Sequence, residues 1–215
     1  MTARIKICGV TLPDDAAAVA SAGVDFVGLN FWPKSKRYLA PERAPMIHGV
    51  IRAMGAAKIV GVFVNPEPDD VLAVLGRVEL DIIQLHGDED IEHVREIAKV
   101  AYRPVWKAIA VKSARDLEHL DQWPADVLLL DAPTAGRGGA GASFDHGLAR
   151  AARAQFPKLK IALAGGLAPE NVAAAIALVK PWAVDVASGV EVAPGVKDRA
   201  KLAAFIAAVR EGVAA

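Results

Sequence analysis

The residue types able to do chemistry stand where apolar runs give way to turns. Cys8, the only cysteine, closes the run Arg4 to Cys8 (RIKIC) and is followed by Gly9. A thiol there can act as nucleophile or proton-abstracting base, or be a small core residue. Asp131 closes Val127 to Asp131 (VLLLD). A carboxyl behind four apolar residues suits general acid work, provided that a substrate completes its desolvation; its plainer role is to pair with a buried cation. Gly165-Gly166 and Ser188-Gly189 follow two late apolar runs and expose backbone N–H groups that could cradle phosphate, or they simply make tight turns. His86 follows Asp81 to Leu85 as a candidate site polar group or orienting residue, and Asn30 and Asn65 end two further runs. The loop Phe31 to Tyr38 offers Lys34, Lys36 and Arg37; a guanidinium matches a carboxylate's geometry, whereas a loop of this kind can also be merely solvated. His48, His93, His119 and His146 fall in helical stretches or at their starts. No H-x-H pair or carboxylate cluster with ligand spacing occurs at these ends, so no metal is expected; no GxGxxG follows the first run, so no dinucleotide is expected either. The reading carries no cofactor.

The elements that must position these residues alternate regularly. Apolar runs too short for helices lie at Arg4–Cys8, Asp25–Asn30, Lys58–Val64, Asp81–Leu85, Val105–Ile109, Val127–Asp131, Ile161–Ala164 and Trp182–Val186. Helical stretches are expected at Ala16–Ala22, Arg43–Met54, Asp69–Val78, Ile91–Val100, Ala114–Gln122, His146–Gln155, from Pro169-Glu170-Asn171 to near Lys180, and Lys197–Val209. Thr11 and Pro13 mark the first helix start, and a glycine-rich loop, Gly136 to Gly141, precedes the sixth helix. About eight βα units whose strands are apolar throughout imply a parallel sheet covered by helices, an α/β chain forming a single (β/α)8 TIM barrel over residues 1–215. A doubly wound open sheet has the same alternation. In a barrel the strand C-termini form the active face, and the seventh and eighth strands commonly carry phosphate. Strand alternation sends Lys6 the same way as Cys8. A buried ammonium needs a carboxylate, with Asp131 and Asp185 as candidates, and it would favour the Cys8 thiolate.

Composition narrows the function classes. Lysine plus arginine and aspartate plus glutamate number 25 each, so no net field draws nucleic acid or an anionic membrane. A single cysteine allows no internal disulfide and suits a reducing cytoplasm. No apolar run of about 18 residues spans a membrane, and the opening residues lack a signal-peptide core. The expected partner is a small molecule, and no oligomeric state is assigned.

Seven segments resemble the phosphoribosylanthranilate isomerase family of tryptophan biosynthesis: KICGVT at Lys6–Thr11, GLNFWPKSKRYL at Gly28–Leu39, VGVFVN at Val60–Asn65, IQLHGDE at Ile83–Glu89, LLLDA at Leu128–Ala132, LAGGLAPENV at Leu163–Val172 and DVASGVEVAPGVKD at Asp185–Asp198. The resemblance implies a cofactor-free Amadori rearrangement of N-(5-phosphoribosyl)anthranilate to 1-(2-carboxyphenylamino)-1-deoxyribulose 5-phosphate. It also implies Asp131 as general acid, Cys8 as general base and Arg37 on the anthranilate carboxylate. The phosphate would lie on Gly166, Ser188 and Gly189, with the loop at Gly139 to Gly141 closing over it. The chain departs from the family pattern where Ala140 lacks a hydroxyl and His146 replaces a tryptophan.

Other readings stay open on sequence. A metal-dependent epimerase wants histidines at strand ends, which are absent. A Schiff-base aldolase wants a lysine, for which Lys107 on the fifth strand is the candidate. A phosphometabolite sensor needs neither Cys8 nor Asp131.

Overall fold

The computed structural model describes residues 3–132 and 145–211, and the Gly136–Gly141 loop, with Gly139 and Gly141, lies outside them. Eight strands close into a barrel in sequence order, every neighbour parallel: β1 (Arg4–Cys8), β2 (Phe26–Asn30), β3 (Lys58–Phe63), β4 (Ile82–Leu85), β5 (Val105–Ala110), β6 (Val127–Asp131), β7 (Ile161–Leu163) and β8 (Ala183–Val186), which returns to β1. Helices α1 (Pro13–Ser21), α2 (Ala44–Met54), α3 (Pro68–Leu75), α4 (Ile91–Ala101), α5 (His146–Gln155), α6 (Val172–Val179) and α7 (Arg199–Glu211) surround it. A small antiparallel hairpin, β9 (Glu191–Ala193) with β10 (Val196–Lys197), stands in the loop between β8 and α7. The TIM barrel is therefore the architecture, and the open sheet is excluded by the β1–β8 pairing.

Alternation along each strand divides the core. Ile5, Ile7, Val27, Leu29, Ile59, Ile83, Leu128 and Leu130 face the helices, whereas Phe26, Val60, Val62, Ile82, Trp106, Ala108, Val127, Leu129, Ala162 and Ala183 fill the barrel. The floor is aromatic. Phe26 meets Trp106 edge-on at 4.9 Å between centroids, Trp182 lies 5.7 Å from each, and the Arg4 guanidinium sits 4.5 Å over the Trp182 ring. With the interior filled from below, ligand access is left to the upper rim.

Two expected helices differ. The segment between β5 and β6 forms only two 3₁₀ turns, Ala114–Leu117 and Leu120–Gln122. Asp116 folds back onto the N–H groups of Lys112 and Ser113, His119 adopts a left-handed φ of 59°, and the buried Leu117 and Leu120 are three residues apart, a spacing that suits a 3₁₀ turn. The final helix starts two residues late. Asp198 caps it, accepting from the N–H groups of Ala200 and Lys201, while Lys197 is held on β10. At the first helix Thr11 does not cap; its hydroxyl donates to the carbonyl of Gly195 at 2.8 Å.

Candidate active site

The rim is built from the ends of β1, β4, β6, β7 and β8. On β1, Lys6 and Cys8 turn inward as alternation requires. Lys6 is fully buried and its Nζ lies 2.9 Å from Asp185 Oδ1 on the adjacent β8, so Asp185 rather than Asp131 is its partner. Gly28, paired with Cys8 on β2, makes room for both heads: a Cβ there would stand 2.8 Å from Sγ and 3.2 Å from Nζ. Burial opposes the charge on Lys6, but Asp185 and Cys8 outweigh it and raise its pKa.

The thiol behaves otherwise than expected. Burial pushes the Cys8 pKa up, and Asp185 adds to the rise, against the lowering influence of Lys6 and Lys197. The charge on Lys6 is already answered by Asp185. The resting residue is a thiol, and an added positive charge is needed to ionise it. Asp185→Asn strips Lys6 of its counter-charge and should destabilise the fold by about 3–5 kcal/mol in urea unfolding. A loss below about 1 kcal/mol would mean that the pair does not hold the barrel wall.

Asp131 ends β6 on the interior side. Its Oδ1 accepts the N–H of Ala132 at 2.8 Å, and its Oδ2 lies 3.0 Å from His86 Nε2. Behind His86, the buried Gln84 of β4 places Nε2 2.9 Å from Nδ1. With the amide donating, the ring carries its proton on Nε2 and donates to Asp131. His86 is thereby an orienting group for the carboxyl, one of the two roles read for it. The β6 end and the β1 end open onto the same rim, separated around the ring by β7 and β8.

The glycine turns are built for close approach. Gly165 and Gly166 take φ of 81° and 75°, and a Cβ on Gly165 would stand 2.5 Å from the Ala132 nitrogen. Asn171 closes that turn by donating to the Gly166 carbonyl and accepting from Ala168 N–H. Among the described residues no hydrogen bond uses the amides of Gly165 and Gly166. A Cβ on Gly189 would stand 2.0 Å from the carbonyl oxygen of Leu167, so the Ser188–Val190 turn rests directly on the β7 turn. Tight turning and free N–H groups coexist here, which is the geometry of an anion cradle.

Other candidates separate. Arg37 is buried and grips Glu191 on β9, Nε–Oε1 at 2.8 Å and Nη2–Oε2 at 2.6 Å, while Lys34 is exposed. The solvated-loop reading therefore fails for Arg37 and holds for Lys34. Asn30 accepts from Trp32 N–H and Asn65 from Asp88 N–H, so both hold loops. Lys107 points away from the barrel interior, between inward Trp106 and Ala108, and binds Glu89 Oε2 at 2.7 Å and the Gly87 carbonyl at 2.8 Å. Burial lowers its pKa against the pull of Glu89, but the amine is not on the rim, which removes the aldolase candidate. No group of three or more potential metal ligands occurs among the described residues. Glu191, Lys197 and Gln84 belong to the site's framework without having been singled out from sequence. The two charged residues Glu191 and Lys197 inside a largely apolar stretch are the available signal for the first two.

Comparison with known proteins agrees with this geometry. The family model described as N-(5'-phosphoribosyl)anthranilate (PRA) isomerase matches residues 5–208. The N-(5'-phosphoribosyl)anthranilate isomerase of Bordetella pertussis is 42% identical over 214 residues, covering 98% of this chain and 97% of that one. The Thermotoga maritima protein of the same name is 45% identical, with 94% and 96% covered. The crystal structure of phosphoribosyl anthranilate isomerase from Thermotoga maritima superposes with a TM-score of 0.88 at 43% identity, covering 97% of this chain and 99% of that one. A structure of the isomerase in complex with reduced 1-(o-carboxyphenylamino)-1-deoxyribulose 5-phosphate gives 0.85 at 41% identity, with the same coverage. A rim carrying one thiol, one carboxyl and one anion cradle, together with a match along nearly its whole length, shows that this chain belongs to the N-(5'-phosphoribosyl)anthranilate isomerase family.

Proposed function

We propose that this chain, acting as one catalytic domain in the cytoplasm, converts N-(5-phosphoribosyl)anthranilate to 1-(2-carboxyphenylamino)-1-deoxyribulose 5-phosphate. The observation that carries the proposal is the placement of Cys8 and the His86-held Asp131 on one rim beside the two glycine turns. Asp131, protonated, gives its proton to the furanose ring oxygen, the C1–O bond breaks, and the nitrogen lone pair forms a protonated imine. That cation supplies the positive charge the buried thiol lacks. As that cation forms, the Cys8 thiol gives up its proton to the Asp131 carboxylate or to solvent; the thiolate then removes the C2 proton and becomes a thiol again, and the electron pair of the C–H bond moves to C1–C2 while the imine π pair returns to nitrogen. The resulting enolamine tautomerises to the ketone. Cys8 ends as the thiol it began as; Asp131 is reset either by the proton the thiol released or by one from solvent. The scheme uses no metal or cofactor.

The 5'-phosphate is assigned to the N–H groups of Gly165, Gly166, Ser188 and Gly189, which suits a chain with no net charge to attract it. No helix among the described residues is long and apolar enough to cross a membrane. The substrate's carboxylate is assigned to Arg37, whose Nη1 takes no hydrogen bond among the described residues. Arg37→Ala removes a charge-assisted bond and should raise KM roughly 10- to 100-fold with a smaller effect on kcat. An unchanged KM would move the carboxylate site elsewhere.

A further inference from the structure

Arg37 is anchored from behind by a chain of buried contacts. Glu191 takes its Nε on both carboxylate oxygens, at 2.8 and 3.1 Å, and its Nη2 at 2.6 Å. The same carboxylate receives Lys197 Nζ at 2.8 Å and the Gly195 N–H at 3.2 Å. Lys197 Nζ also donates to the carbonyl of Cys8 at 2.6 Å, and Lys197 N–H to Asp15 on α1 at 2.8 Å. The Arg37 stem lies against Gly9, where a Cβ would be 2.3 Å from Arg37 Cδ, and Gly9 has a φ of 72°. An arginine free in a loop has rotamer entropy to lose on binding. Here one edge of the guanidinium is already committed to protein, and only the Nη1 side is left for a ligand.

We propose that Glu191 is a positioning residue: it fixes the guanidinium of Arg37 and ties it through Lys197 to the strand end that carries Cys8, so that carboxylate binding and proton abstraction occur in a common frame. This rests on the assignment of the substrate carboxylate to Arg37. The hairpin β9–β10 is then a strap whose function is registration, and the carboxylate at its root neutralises two cations that would otherwise repel. Burial alone would push the Glu191 carboxyl up, but hydrogen bonds from Arg37 and the charge of Lys197 outweigh it, so the group stays ionised through the neutral range.

The test compares two ligands on wild type, Glu191→Gln, Glu191→Asp and Arg37→Ala. One probe is reduced 1-(o-carboxyphenylamino)-1-deoxyribulose 5-phosphate, which carries the carboxylate; the other is ribose 5-phosphate, which does not. Glu191→Gln should weaken the first roughly tenfold or more and leave the second within about twofold, because the phosphate cradle is untouched. Glu191→Asp keeps the counter-charge but draws it back by one methylene. It should show the same selective loss, and it covers the case in which the glutamine variant does not fold. Equal affinity of all Glu191 variants for the carboxylate ligand, with Arg37→Ala weakened, would overturn the positioning role alone. Parallel weakening of both ligands would overturn it too, as the mark of a general structural loss. If Arg37→Ala itself binds the carboxylate ligand as wild type does, the underlying assignment fails and the proposal with it.

Discussion

Cys8→Ala should lose turnover by about 10²- to 10⁴-fold, the range a positioned base contributes, while its affinity for a phosphoribosyl ligand stays near that of wild type. The Sγ lies beside Lys6 over Gly28, while the Arg37 guanidinium is held by Glu191, so removing the sulfur takes away the proton acceptor and leaves the ligand-holding groups in place. Cys8→Ser tests the acidity requirement. A hydroxyl fills the same space over Gly28 but is far harder to ionise, so it should be almost as inactive as alanine. Near wild-type kcat in Cys8→Ala would remove the thiol from the mechanism.

Asp131→Asn should lose turnover to a similar extent, about 10²- to 10⁴-fold, with ligand binding retained. The substitution preserves shape, and the amide oxygen can still receive His86 Nε2–H or the Ala132 N–H, so the loop is expected to stay in place. What it cannot do is protonate the ring oxygen. Integrity of the fold can be checked by an unchanged melting temperature, and the chemistry by single-turnover kinetics. Substantial turnover in Asp131→Asn would assign ring opening to another acid, with His86 the nearest alternative because it shares the hydrogen bond.

Much of this is legible in the sequence. Parallel strands buried on both faces are apolar from end to end, so VLLLD and KIVGVFV announced themselves, and the residues that ended such runs were the rim. Alternation put Lys6 beside Cys8 and required a buried carboxylate, and Asp185 is that partner. The missed features share a cause: they depend on irregular backbone. Glu191 and Lys197 act from a hairpin inserted in a loop, where no periodicity tells which way a side chain faces. The stretch Ala114–Gln122 carries helix-forming residues, yet Asp116 folded back on its own N–H groups and His119 in a left-handed conformation break it into 3₁₀ turns. Lys107 was a Schiff-base candidate because it sits on a strand, but its register against inward Trp106 and Ala108 turns it to the helix layer. The thiolate expectation for Cys8 counts Lys6, but burial of the sulfur, with Asp185 adding to it, outweighs that cation.

The most direct test of the account is to add freshly formed phosphoribosylanthranilate to the purified protein in the presence of EDTA and follow the loss of its fluorescence. The account predicts rapid loss with wild type and almost none with Cys8→Ala or Asp131→Asn. Persistence of the fluorescence with wild type, while phosphate ligands still raise its melting temperature, would contradict it and assign the cradle to a different sugar phosphate.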